Sequence, residues 1–161
     1  MDMSSEKSQR RWLVLLTVIA VYICFLDRIA ISVAIIPMSA DNDWSPATQG
    51  TVMSSFFIGY LLLQVPAGFL ADRFGGKWVL GIGVLLWSVF TLLTPSAAAL
   101  GLTALLVCRV LMGMSEAVTW PSIYSTYAVW VPIEERGSAV GWMNSGIAGG
   151  SVIALLLTPF I

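Results

Sequence analysis

Histidine does not occur in the sequence. That excludes His-based catalysis and His metal ligation at once. Charge is also scarce. Only 11% of the 161 residues are charged, against about 25% in an ordinary soluble domain. Net charge is −1, so nothing points to a nucleic-acid partner. Cysteine is nearly absent. Cys24 and Cys108 sit in separate apolar runs and read as reduced packing residues. No CxxC or Cys/His cluster exists, so no metal site is expected. There is no Asn-x-Ser/Thr acceptor, no low-complexity segment and no soluble domain.

What fills the space is apolar. Hydrophobic residues make up 58% of the chain, and mean hydropathy is +0.88. These values describe an integral membrane protein. Lys7, Arg10 and Arg11 precede the first apolar run, as in a signal peptide. The run outlasts an ordinary signal core and no A-x-A-like cleavage site follows. A signal-anchor that stays in the membrane is expected.

A helix crosses the hydrocarbon core with roughly 20 mainly apolar residues. Five segments qualify: 12–37, 47–69, 78–97, 101–129 and 139–161. The breaks read MSADNDWSPAT, ADRFGGK, TPSAAALG and PIEERGS. Ser45 is a candidate N-cap before Pro46. The fold class expected is an all-α membrane bundle of five transmembrane helices, with residues 1–11 as a tail and 12–161 as the bundle.

Lys and Arg set the orientation. Lys7, Arg10 and Arg11 precede span one, Arg73 and Lys77 lie between spans two and three, and Arg136 lies between four and five. With five spans these six all fall on one side, and none falls on the other. The N-terminus is therefore expected to be cytoplasmic, in the plasma membrane or an organelle membrane.

Small residues are frequent in the spans. Gly81 and Gly83 open the third. Gly141, Ser145 and Gly149 form a small-xxx-small row on the fifth, with Gly146 and Gly150 beside it. Such rows let helix backbones approach closely in lipid. GIG in the third span has no strand before it and is not a dinucleotide site.

Four charges interrupt the spans: Asp27 and Arg28 in the first, Arg109 and Glu116 in the fourth. Each costs on the order of 2.5–3.5 kcal/mol at mid-bilayer. They should face the bundle interior and pair. One reading is ion pairs that fix register; the other, favoured here, is a substrate and ion pathway. Arg109 and Glu116 are seven residues apart, nearly on one face, and roughly 10 Å apart along the axis. Counting from the span ends, Asp27 and Arg109 reach similar depths. Asp27 would then pair with Arg109, leaving Arg28 for an anion, with Glu116 a second acid nearer the cytoplasm. An acid whose Arg partner can leave to hold substrate is a reasonable proton carrier. Tyr60 and Gln64 share a face of the second span and either line the cavity or bond between helices. Asn144 and Ser145 are weaker candidates of the same kind.

GFLADRFGGK, after the second span, resembles the G-x-L-A-D-R-x-G-R-K motif of the major facilitator superfamily. Gly68, Leu70, Ala71, Asp72, Arg73, Gly75 and Lys77 match, and Gly76 departs where the motif has a basic residue. RVLMGMSEAVTWP is similar to the R-x-x-x-G-x-x-E-x-x-x-x-P string of the anion:cation symporter branch. That branch includes vesicular glutamate transporters, sialin, and sugar-acid and phosphate transporters. DRIAISVAIIPM, SSFFIGYLL and ERGSAVGWMNSG resemble it as well. DNDW, GGKWVLGIGV and LTPSAAALGL look closest to the plastid-type phosphate and organic-anion group.

The resemblance implies alternating access by two six-helix halves. It implies substrate binding by Arg28 and Arg109, to which the residue reading adds Tyr60, cation coupling by Asp27 and Glu116, and a conformational latch at Gly68, Asp72, Arg73, Gly75 and Lys77. It implies symport of an organic anion or inorganic phosphate with H+ or Na+, no further cofactor and no enzymatic activity. The fifth span lacks a clear Gly-Pro antiporter signature. On this reading the chain is an incomplete N-terminal half, a fragment whose partners are a small anion, the bilayer and a C-terminal half. The alternative is a truncated, non-transporting membrane protein whose charges serve helix packing.

Overall fold

The computed structural model describes residues 3–158, with side chains from residue 7 onward. The elements are α1 (Met3–Asp41), α2 (Pro46–Phe74), α3 (Gly76–Leu100), α4 (Leu102–Glu116), α5 (Thr119–Trp130) and α6 (Ile133–Leu157). Among the described residues there is no strand. Five stretches are long and apolar enough to cross a membrane, the fourth made of α4 and α5 together. The protein is a multi-pass membrane helix bundle.

The helices outrun the spans that hydropathy marks. α1 has 39 residues, or about 58 Å of helix, roughly twice the hydrocarbon thickness. It takes in most of the expected tail. Polar flanks stay helical because helical hydrogen bonding satisfies the backbone in water as well as in lipid. The connections therefore shrink. Gly75 alone joins α2 to α3 and Gly101 alone joins α3 to α4, at φ +85 and +116. Only glycine takes that backbone region without strain. Ser45 caps α2 as expected, its side chain accepting from the Thr48 N–H with Pro46 in the first turn.

Two compact units are present: Met1–Val33 with Thr126–Ile161, and Ala34–Ser125. In the second, α4 packs against α2 and α3. Val52 clusters with Leu105, while Gly59 lies against Val110 and Met114, so α2 and α4 ascend together. Gly83 meets Ser115 and Val118, whereas the Cys108 thiol donates to the Phe90 carbonyl, so α3 runs the other way. In the first unit Gly146 meets Val18 and Gly150 meets Tyr22, so α1 and α6 are parallel. These directions are the ones that alternating spans require.

The tight row on α6 is Gly146 and Gly150, not Gly141 and Ser145. A Cβ on Gly146 would sit 2.7 Å from the Val18 carbonyl oxygen, and one on Gly150 would collide with that of Tyr22. Gly141 has nothing within 4 Å, and Gly149 meets only the Tyr22 ring edge. On α3 the contact residue is Gly83; Gly81 is open.

Candidate functional site

The second unit holds Arg109 and Glu116. They share the buried face of α4 with Leu105, Cys108, Met112, Gly113 and Ser115. Arg109 is 2% exposed and Glu116 0%. The Arg109 guanidinium lies 5.1 Å from the centre of the Phe56 ring, and its Nη1 is 3.3 Å from Met112 Sδ. A ring face and a polarizable thioether are soft partners for a desolvated cation.

The approach of α2 makes this possible. Gly59 and Gly113 face each other reciprocally. A Cβ on Gly59 would collide with the Val110 carbonyl, and one on Gly113 with that of Phe56. The two backbones touch at this crossing, which brings Phe56 under Arg109. Tyr60 is stacked on Phe56, with ring centres 6.0 Å apart and planes at 24°. Tyr60 and Arg109 therefore both contact one aromatic ring. Gln64, one turn on, is partly buried.

Glu116 is the last residue of α4. Pro121 explains why. It has no N–H for the carbonyl of Ala117, and its ring clashes with that carbonyl. Ala117 and Val118 form a turn between α4 and α5, although the Ala117 N–H still donates to Gly113 and the Val118 carbonyl still accepts from Ser122. The carboxylate thus sits where the span breaks. Thr119, three residues on, is 1% exposed, and its Oγ1 finds no hydrogen-bond partner among the described residues.

Asp27 and Arg28 belong to the first unit, and both are partly buried on α1. Arg28 lies 5.0 Å from the Phe25 ring centre, and its Nη2 approaches Cys24 Sγ at 3.9 Å. The same unit holds a buried hydroxyl pair, Thr17 with Tyr127, at 2.5 Å. Asn144 and Ser145 are exposed on α6.

The motif residues Gly68, Asp72 and Arg73 fall in the last two turns of α2, Gly75 forms the turn, and Lys77 opens α3. Asp72, Arg73 and Lys77 are exposed. Arg73 lies over Phe74 and Lys77 over Trp78. Gly76, the departure from the motif, is buried.

Sequence reasoning missed Phe56 and Met112 as Arg109's surroundings and Gly59 as the other half of the crossing. The available signals were Gly59 in FFIGY and Gly113 four residues after Arg109. Spacing within one helix does not name the partner helix, so neither glycine points to the other.

Residues 17–161 match the family model of the Major Facilitator Superfamily. The chain belongs to that superfamily. Among curated proteins, this superfamily member is 48% identical over 157 residues to the chloroplastic sodium-dependent phosphate transport protein 1 of Arabidopsis thaliana, covering 97% of this chain and 31% of that protein. It is also 48% identical to the chloroplastic probable anion transporter 4 of Oryza sativa subsp. japonica, covering 97% and 27%. To the chloroplastic ascorbate transporter of Arabidopsis thaliana it is 45% identical, covering 97% and 29%. The chain spans less than a third of the length of these relatives.

Proposed function

We propose that this chain is the N-terminal part of a secondary active transporter that moves inorganic phosphate or a small organic anion with H+ or Na+ by alternating access. The observation that carries this reading is the buried pair Arg109 and Glu116 on one face of a membrane-spanning helix. A cation and an acid held there carry a large desolvation cost, and intramembrane charges of this kind mark substrate and ion paths. The plant relatives, named as phosphate, anion and ascorbate transporters of the chloroplast, agree with an anionic cargo in an organelle membrane.

In this reading Arg109 binds the anion with the Tyr60 hydroxyl supplying a neutral hydrogen bond, and Arg28 is the anion-binding residue of the first span. Asp27 and Glu116 carry the coupling ion. The Ala117 carbonyl released by Pro121 and the Thr119 hydroxyl add oxygen ligands near Glu116, the type of group that coordinates cations at broken helices. Gly68, Asp72, Arg73, Gly75 and Lys77 form a latch toward a second half, for which the exposure of Asp72, Arg73 and Lys77 leaves the side chains accessible.

The test is uptake by the full-length protein in proteoliposomes. Labelled phosphate, ascorbate and sugar acids are offered, with pH and sodium gradients imposed one at a time. Concentrative uptake of one anion under one gradient is expected. Uptake indifferent to both gradients would overturn the symport reading.

A further inference from the structure

The first unit carries a groove that the transport reading does not use. It lies between the N-terminal turns of α1 and α6 and encloses about 640 Å³. Lys7, Arg10 and Arg11 line one end, with Glu135 across from them. Val18 and Trp142 line the apolar part. The chemistry thus changes along the groove, from cationic to hydrocarbon, where these helices leave the membrane.

Arg10 is the informative residue. Its side chain is 21% exposed, and its Nη1 stands 3.7 Å from Glu135 Oε2. That is long for a charge-assisted hydrogen bond, which closes to about 2.7–2.9 Å. Its Nε is buried and finds no hydrogen-bond partner among the described residues. The guanidinium thus stands loosely paired at the mouth of an apolar groove. Arg136, next to Glu135 in sequence, differs. It donates to the carbonyls of Val131 and Ala128 at 3.0 and 2.7 Å and so caps the end of α5.

We propose that this groove is a binding site for an anionic phospholipid of the bilayer. The headgroup phosphate sits among Lys7, Arg10 and Arg11, and an acyl chain lies along Val18 and Trp142. Three cations against the single Glu135 leave the groove net positive. Basic clusters beside membrane helices attract anionic lipid. Trp12 and Trp142, 61% and 64% exposed, mark the interfacial level at which tryptophan settles. A headgroup phosphate offers acceptor oxygens to a part-exposed Arg10 guanidinium that Glu135 holds only at 3.7 Å.

The test uses the full-length protein in phosphatidylcholine nanodiscs with graded phosphatidylglycerol, either lipid carrying bromine on its acyl chains. Bromine quenches nearby tryptophan. Brominated phosphatidylglycerol should quench more than brominated phosphatidylcholine, and Trp142→Phe should remove the excess. Arg10→Gln and Arg11→Gln should each raise the phosphatidylglycerol fraction needed roughly fivefold. Glu135→Gln should lower it. Native mass spectrometry, which does not depend on Trp142, should show retained phosphatidylglycerol in the wild type and its loss in Arg10→Gln/Arg11→Gln. Equal quenching by the two lipids overturns the proposal, as does an unchanged midpoint in both arginine variants. If inorganic phosphate alone displaces brominated phosphatidylglycerol, the groove takes a soluble anion and the lipid assignment fails. If Trp142 is not quenched at all in the full-length protein, the rest of the chain covers the groove and the assignment also fails.

Discussion

Arg109 and Glu116 are held by different means, and substitutions should separate them. Arg109 rests on Phe56 and Met112. Lys cannot spread its charge over a ring and a thioether in the same way. Arg109→Lys in the full-length protein should therefore keep the fold but weaken anion uptake about tenfold, the value of one charge-assisted hydrogen bond. Phe56→Leu should cost about 1–2 kcal/mol of stability in detergent, because it removes a desolvated cation–π contact. Glu116→Gln is nearly isosteric at a fully buried site. It should leave anion binding intact and abolish the response of uptake to the driving gradient. If gradient-driven uptake survives Glu116→Gln, that acid has no coupling role.

The four charges were legible in the sequence because no other Asp, Glu, Lys or Arg falls in those two spans. Their surroundings were not. Which ring lies under Arg109 depends on where α2 crosses α4, and that depends on two glycines in different helices. The break after Glu116 was better encoded. Pro121 stands five residues beyond the acid, and its missing N–H places the turn at Ala117–Val118.

At the scale of the element, glycines two residues apart on α3 do different work. A side chain at Gly83 runs into Val118 and the Ser115 carbonyl, while Gly81 faces open space. Gly83→Leu should cost about 1–3 kcal/mol, the usual penalty of overpacking. Gly81→Leu should be near neutral in the same thermal-unfolding assay. Gly75→Ala should cost about 1–2 kcal/mol, since φ +85 is a left-handed conformation. The existence of the spans was plain from hydropathy. Their ends were not, because charged flanks such as Asp72, Arg73 and Lys77 stay helical up to a single glycine. The row on α6 was ambiguous for another reason. Gly141–Ser145–Gly149 and Gly146–Gly150 both satisfy the spacing rule. The position of Tyr22 and Val18 on α1 decides between them.

At the scale of the molecule, the helix directions within each unit fit an alternating five-span topology. Cys24 and Cys108 are 1% and 7% exposed, so the native thiols give little background to a membrane-impermeant reagent. Asn42→Cys and Ala99→Cys should react from one side of the membrane. Lys77→Cys and Glu134→Cys should react from the other. Reaction of all four from one side would contradict the topology. This much of the architecture was readable from six basic residues placed in alternate loops, because charge in the loops is the orientation signal itself.

The crossing of Gly59 with Gly113 also bears on how the protein is made. The fourth span carries two charged residues and is a poor solute for lipid, at on the order of 2.5–3.5 kcal/mol per charge. Its docking partner α2 comes earlier in the chain and is already in the bilayer when α4 leaves the ribosome. Chain order thus supplies a shelter before the charges arrive. Membrane integration of the fourth span, followed by glycosylation mapping, should be efficient behind spans one to three and inefficient when that span is presented alone.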